Sequence, residues 1–264
     1  MLMKASSSFA RCAATCLFVA SLPAQKLPSG TIQRLLPPDA KIIETATLNT
    51  GPGKARSLVL WMEKPDSVVR RDGGYCGDDV YGDYWIGPTR LSLFDLAEST
   101  LVNTIEIRSS YELPDDKEHV FQIPFLVSNY FYSVPTLNAN EEGQPRILNL
   151  QDLTGEGIAG QFVLFDYTAC GIVSTSVFGY SPESERATQY PVEIIADDQK
   201  VRIERWVWQI FASKPIRPGY WDFTWEPGYG VDVFNREQVS FDKARQLFVD
   251  RQERTPYPGT GLRK

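Results

Sequence analysis

Asp152, Thr154 and Glu156 occupy alternate positions of the stretch Asp152-Leu-Thr-Gly-Glu-Gly157. Oxygen side chains spaced in this way can converge on one point, and the two glycines allow the φ > 0 conformations that a tight cation loop needs. The carbonyl of Ile158 offers a fourth oxygen. The chemistry on offer is binding of a hard cation such as calcium. The same residues also suit a metal-free bend held by Asx-type hydrogen bonds, and both readings stay open at this stage.

A second constellation lies later. Trp206, Trp208, Tyr220, Trp221 and Trp225 stand near Asp222 and Glu226. Flat aromatic faces with paired carboxylates are what sugar binding or hydrolysis uses, and Trp221, Trp225, Asp222 and Glu226 form the candidate ligand platform. The competing expectation is that these rings fill a core. Asp78, Asp79 and Asp83 could form a second cation site or a pair of glycosidase carboxylates, and the plain reading of the same residues is a solvated acidic loop. The single histidine, His119, leaves a zinc site of the usual kind or a Ser-His-Asp triad without its parts. No catalytic residue is assigned.

The stretch 152–157 resembles the D-x-[DN]-G-[DN]-G calcium loops of FG-GAP/VCBS repeats, found in propellers and in many secreted bacterial proteins. The longer run from Arg146 to Ile194 is similar to an uncharacterised family of secreted bacterial proteins. On that resemblance Asp152, Thr154 and Glu156 match the first three ligands. Thr154 is neutral where Asp or Asn is usual, and Gly160 and Gln161 stand where a closing carboxylate is expected, so any calcium site is weak. The resemblance brings no activity with it.

Residues 1–24 have the form of a secretory leader. Lys4 and Arg11 are basic, Cys12 to Leu22 is apolar, and Ala24 is a small residue at the cleavage position. The chain is therefore expected to be exported, to the periplasm or beyond, with no transmembrane span. Removing two basic residues takes the formal charge from −6 to −8. That excess of acid disfavours nucleic acid as a partner, and the expected export leaves an extracellular protein or a glycan. Cys76 and Cys170 are the cysteines left after cleavage, and in an oxidising compartment they are expected to pair.

The elements that must hold these residues read as strands. Lys41 to Leu48 and Ser57 to Met62 form a hairpin around Gly51-Pro-Gly53, and Phe162 to Phe165 is apolar on both strand faces, as an interior strand would be. Val173 to Tyr180, a turn near Pro182 to Glu185, and Thr188 to Ile195 form another hairpin. Tyr220 to Trp225 is an aromatic strand. Phe241, Ala244, Leu247 and Phe248 fall at helical spacing and predict a short C-terminal helix. Leu93-Phe-Asp95 with Leu101 to Thr104 echoes Leu164-Phe-Asp166 with Ile172 to Thr175, and a repeated sheet unit or a chance likeness between two hairpins would each account for it.

The fold class that follows is all-β and antiparallel, propeller-like or an irregular sandwich, with that helix at its end. Residues 25–252 form one β-rich domain, with a possible division near 196–200, and 253–264 form a disordered tail. The expected function is an exported binding or scaffold module, with a carbohydrate-active enzyme as the alternative.

Overall fold

The computed structural model describes residues 29–51, 54–70, 82–107, 120–123, 147–169, 172–196, 199–203, 207–208, 214–225 and 233–256. One short helix, α1 (Ser29–Leu35), precedes the strands β1 (Ala40–Asn49), β2 (Ala55–Glu63), β3 (Asp66–Arg70), β4 (Gly82–Asp95), β5 (Thr100–Ile107) and β6 (Val120–Ile123). Then follow β7 (Gln161–Ala169), β8 (Ile172–Ser181), β9 (Arg186–Tyr190), β10 (Val192–Ala196), β11 (Gln199–Ile203), β12 (Val207–Trp208), β13 (Tyr220–Trp225), β14 (Val233–Asp242) and β15 (Leu247–Pro256). No helix among the described residues is long and apolar enough to cross a membrane.

Three sheets result. In the first, β4 is long enough to pair β3 and β6 with its first half and β2 and β5 with its second, while β1 borders β2. The second is built on β8, which pairs β7 on one side and β12 and β9 on the other. The third runs β11-β10-β15-β14-β13 and is antiparallel except for the parallel pair β10–β15. The all-β expectation holds; among the described residues the sheets form a stack, not a closed ring of blades.

Side-chain parity explains the stacking. β2 is apolar from Leu58 to Met62 and splits these residues between two cores. Leu58, Leu60 and Met62 face Phe162, Leu164 and Phe178 of the second sheet, while Val59 and Trp61 meet Ile32 and Leu36 around α1. The stretch before β1, which reads in sequence as a linker, is thus a helix packed on the back of the first sheet. Phe162 and Leu164 point to the first sheet and Val163 to the third, so the second sheet is buried on both faces, as its apolar run predicts. Pro191 ends β9, and the chain resumes at Val192 in the third sheet.

The C-terminal helix is a correction. Phe241 and Phe248 are cross-strand partners whose ring centroids lie 5.1 Å apart, at the ends of β14 and β15. A four-residue turn between them reproduces helical spacing in the sequence. Its chemistry is local: Arg245 N–H donates to Asp242 Oδ1 at 3.2 Å, and Gln246 takes φ 53°. The turns opened by Asp95 and Ser181 are alike, with Ser99 at φ 54° and Glu185 at φ 53°, and with the opening oxygen accepting Ala97 N–H at 2.9 Å and Ser184 N–H at 3.3 Å. Strand β15 also continues to Pro256, into the stretch expected to be a disordered tail.

Two further expectations change. At the 71-residue offset of the echo (164 − 93), Asp95 ends β4 whereas Asp166 is inside β7 opposite Ser174, so the echo does not superimpose equivalent positions. A register shift at Leu93/Phe94 turns Leu101 outward, 42% exposed, and Asn103 inward. The Asn103 amide then donates to Ala187 O at 3.0 Å and accepts Ala187 N–H at 2.9 Å, binding the first sheet to the second. The division considered near 196–200 falls at the connection of the β10–β11 hairpin, within one sheet.

Candidate functional site at the 152–157 bend

The bend is closed by a single carboxylate. Asp152 Oδ1 accepts the N–H groups of Gly155 at 2.8 Å and Glu156 at 3.1 Å, and Oδ2 accepts that of Gly157 at 2.9 Å. Gly155 and Gly157 adopt φ 76° and 84°, the left-handed region in which glycine is not strained. The flanks meet in one antiparallel bridge, Gln151 to Gln161, with N–H···O distances of 2.7 and 3.0 Å. The run before it, 147–150, is extended without being a strand.

Contacts from distant segments hold the bend in place. Gln161, fully buried, accepts Leu153 N–H at 3.0 Å and donates to Tyr180 O at 3.1 Å. Tyr190 Oη donates to the same carbonyl at 2.8 Å. Beneath lies the Pro218–Gly219 turn, so close that a Cβ on Gly155 would sit 2.8 Å from Pro218 O. On the other side, Glu156 Oε1 lies 3.3 Å from Lys243 Nζ, in the β14–β15 turn.

Asp152, Thr154, Glu156 and Ile158 are therefore brought together at one bend, and Asp152 makes the Asx-type hydrogen bonds expected of it. Both Asp152 oxygens accept backbone donors, Glu156 Oε1 takes an ammonium, and the Ile158 carbonyl accepts Gly160 N–H at 2.8 Å. Two oxygens stay buried without a hydrogen-bond partner, Thr154 Oγ1 and Glu156 Oε2. Two carboxylates, one hydroxyl and one carbonyl are a thin donor set for calcium, which takes six to eight oxygens and is held by several carboxylates. Among the described residues no group of three His, Cys, Asp or Glu side chains is placed to hold a metal.

Two members of the later constellation, Trp221 and Asp222, face opposite sides of the third sheet. Trp221 is 1% exposed and packs edge-on against Phe248, centroids 5.9 Å apart, in the core between the second and third sheets. Asp222 follows it in the strand and so points to the other face. There it receives Arg236 Nε at 3.0 Å and Nη2 at 2.8 Å, and Gln238 Nε2 at 2.9 Å. Arg236 first, then Gln238, hold its carboxyl down to about 2. Trp225 ends β13 opposite Asn235, and Trp208 lies on β12. Cys76, Cys170, Glu226, Asp78, Asp79, His119 and Trp206 lie outside the described residues.

Sequence reasoning missed the buried acids of the third sheet. Asp250 is wholly buried and Glu237 is 2% exposed. The available signal was parity: Phe248 and Asp250 alternate onto one face of a strand. It also missed an open groove of about 1390 Å³ along the outer edge of β1, between α1 and 147–150, lined by Ile32, Ile42, Glu44, Ala46, Leu148 and Leu150. No protein-family model matches this chain, and neither curated proteins nor solved structures give a match.

Proposed function

We propose that the chain is an exported binding or scaffold module that recognises an extracellular protein or glycan, without catalytic machinery of its own. The observation that carries this reading is the fate of the aromatic strand. A glycosidase needs two carboxylates flanking a cleft at a set separation, with aromatic faces open to the sugar. Here Trp221 is sealed in a core, and Asp222, on the opposite face, is held ionised by Arg236 and Gln238. An acid with so low a pKa is a poor proton donor near neutrality. The leader-like residues 1–24 and the acidic balance support the assignments of compartment and partner class.

The test pairs a glycan array with hydrolysis assays on chromogenic glycosides and polysaccharides, using the full chain after leader removal. Binding without turnover is the expected result. Turnover that disappears in Asp222→Asn would overturn the reading in favour of the enzyme.

A further inference from the structure

The third sheet closes around an acid that it does not neutralise. β15 is an inner strand, antiparallel to β14 and parallel to β10, and Asp250 stands near its middle, opposite Val239 on one side and Ile194 on the other. Its side chain is wholly buried. Oδ2 accepts Gln252 Nε2 at 2.7 Å; Oδ1 has no hydrogen-bond partner. Gln252 is neutral, so the carboxylate gains no opposite charge from it.

Among the described residues, the groups facing Asp250 do not supply one either. On its face of the sheet β10 presents Ile194, β13 Phe223, and β14 Val239 and the carboxylate of Glu237. Tyr190 of the second sheet contributes a phenol that burial pushes upward. Arg254, at the same parity further along β15, is exposed, and Arg251 and Glu253 fall at the opposite parity. An ionised carboxylate in such a place costs far more than a neutral one, which needs no counter-charge.

We propose that docking of the C-terminal strand is coupled to a proton: the third sheet holds Asp250 as the neutral acid, so acid tightens β15 between β10 and β14 and alkali loosens it. Desolvation raises the carboxyl from its ordinary value of 3.8 to about 6, with the Gln252 hydrogen bond opposing weakly. Because the folded pKa lies above the unfolded one, the native state binds the extra proton between them. The stabilisation is complete below about pH 4 and is lost as pH rises through about 6. A difference of about two pK units corresponds to on the order of a 100-fold change in the opening equilibrium of β15.

Hydrogen exchange of the full chain, corrected for intrinsic rates and followed from pH 4 to pH 7, reads this directly. In the wild type, β15 peptides are expected to lose on the order of 100-fold in protection across that range while β2 peptides change much less. In Asp250→Asn the β15 response should flatten. A β15 profile that is flat in the wild type, or that keeps the same slope in Asp250→Asn, overturns the proposal. Should Asp250→Asn fail to fold, the carboxyl ¹³C titration of wild-type Asp250 decides: a midpoint near 6 supports the coupling and one near 4 ends it.

Discussion

Asp152 and Asp250 are the same side chain put to opposite uses. The first lies in an irregular bend and gathers three N–H donors that no ladder could satisfy. The second lies in a regular strand, where ladder hydrogen bonds already employ the backbone donors, and finds one neutral amide. A carboxylate is stabilised where the backbone is irregular and stranded where it is regular. That contrast separates the regions: the bend is held by polar closure around an acid, and the third sheet by apolar burial in spite of one.

The sharpest way to break the contrast is to remove the burial. Trp221→Ala empties the centre of the interface between the second and third sheets and is expected to cost about 3–5 kcal/mol, the range for deleting a large buried ring. Urea denaturation measures it. A loss under about 1 kcal/mol would mean that the third sheet does not depend on this core.

Next in size is the bend. Asp152→Ala leaves three N–H groups to water or to nothing and is expected to cost about 1–3 kcal/mol, with Asp152→Asn recovering part of it. Melts of the wild type in calcium and in chelator should coincide, since the acceptors already have protein donors. A calcium-dependent rise that Asp152→Ala abolishes would restore the cation reading.

The smallest effect sharpens the comparison by reversing its sign. Asp222 is depressed to about 2 by Arg236 and Gln238, so its contribution is present above about pH 4 and lost as pH falls toward 2, opposite to Asp250. In Asp222→Asn the stability profile below pH 4 should flatten slightly, and above pH 4 it should run parallel to the wild type at a slightly lower level, as expected for an exposed pair. Differential scanning calorimetry at low pH detects it.

Much of the sheet framework was legible because it is written locally. The β1–β2 hairpin, the two-faced run at 162–165 and the Asp152 turn chemistry each rest on neighbours in sequence. What was not legible depends on distant partners. Phe241 and Phe248 look helical until the turn capped by Asp242 is seen. Gly155 meets Pro218, and Glu156 meets Lys243, through contacts no local pattern announces. Asp250 went unnoticed because alternation reads a polar residue as outward facing, and here the inward parity contains it.

The parallel pair β10–β15 also fixes an order of events. A chain made from its N-terminus can complete the β1–β2 hairpin and the β7–β8–β9 meander early, because their partners are close in sequence. In the third sheet the β10–β11 and β13–β14 hairpins are local, but the parallel pairing that joins them has no such freedom. The sheet's middle strand is the last to be synthesised, and until that segment arrives Val192 and Trp221 lack the apolar partner that Phe248 brings to them. The growing chain must therefore carry an unfinished, sticky edge from Val192 until Phe248 is made, a period in which a holding chaperone has something to hold.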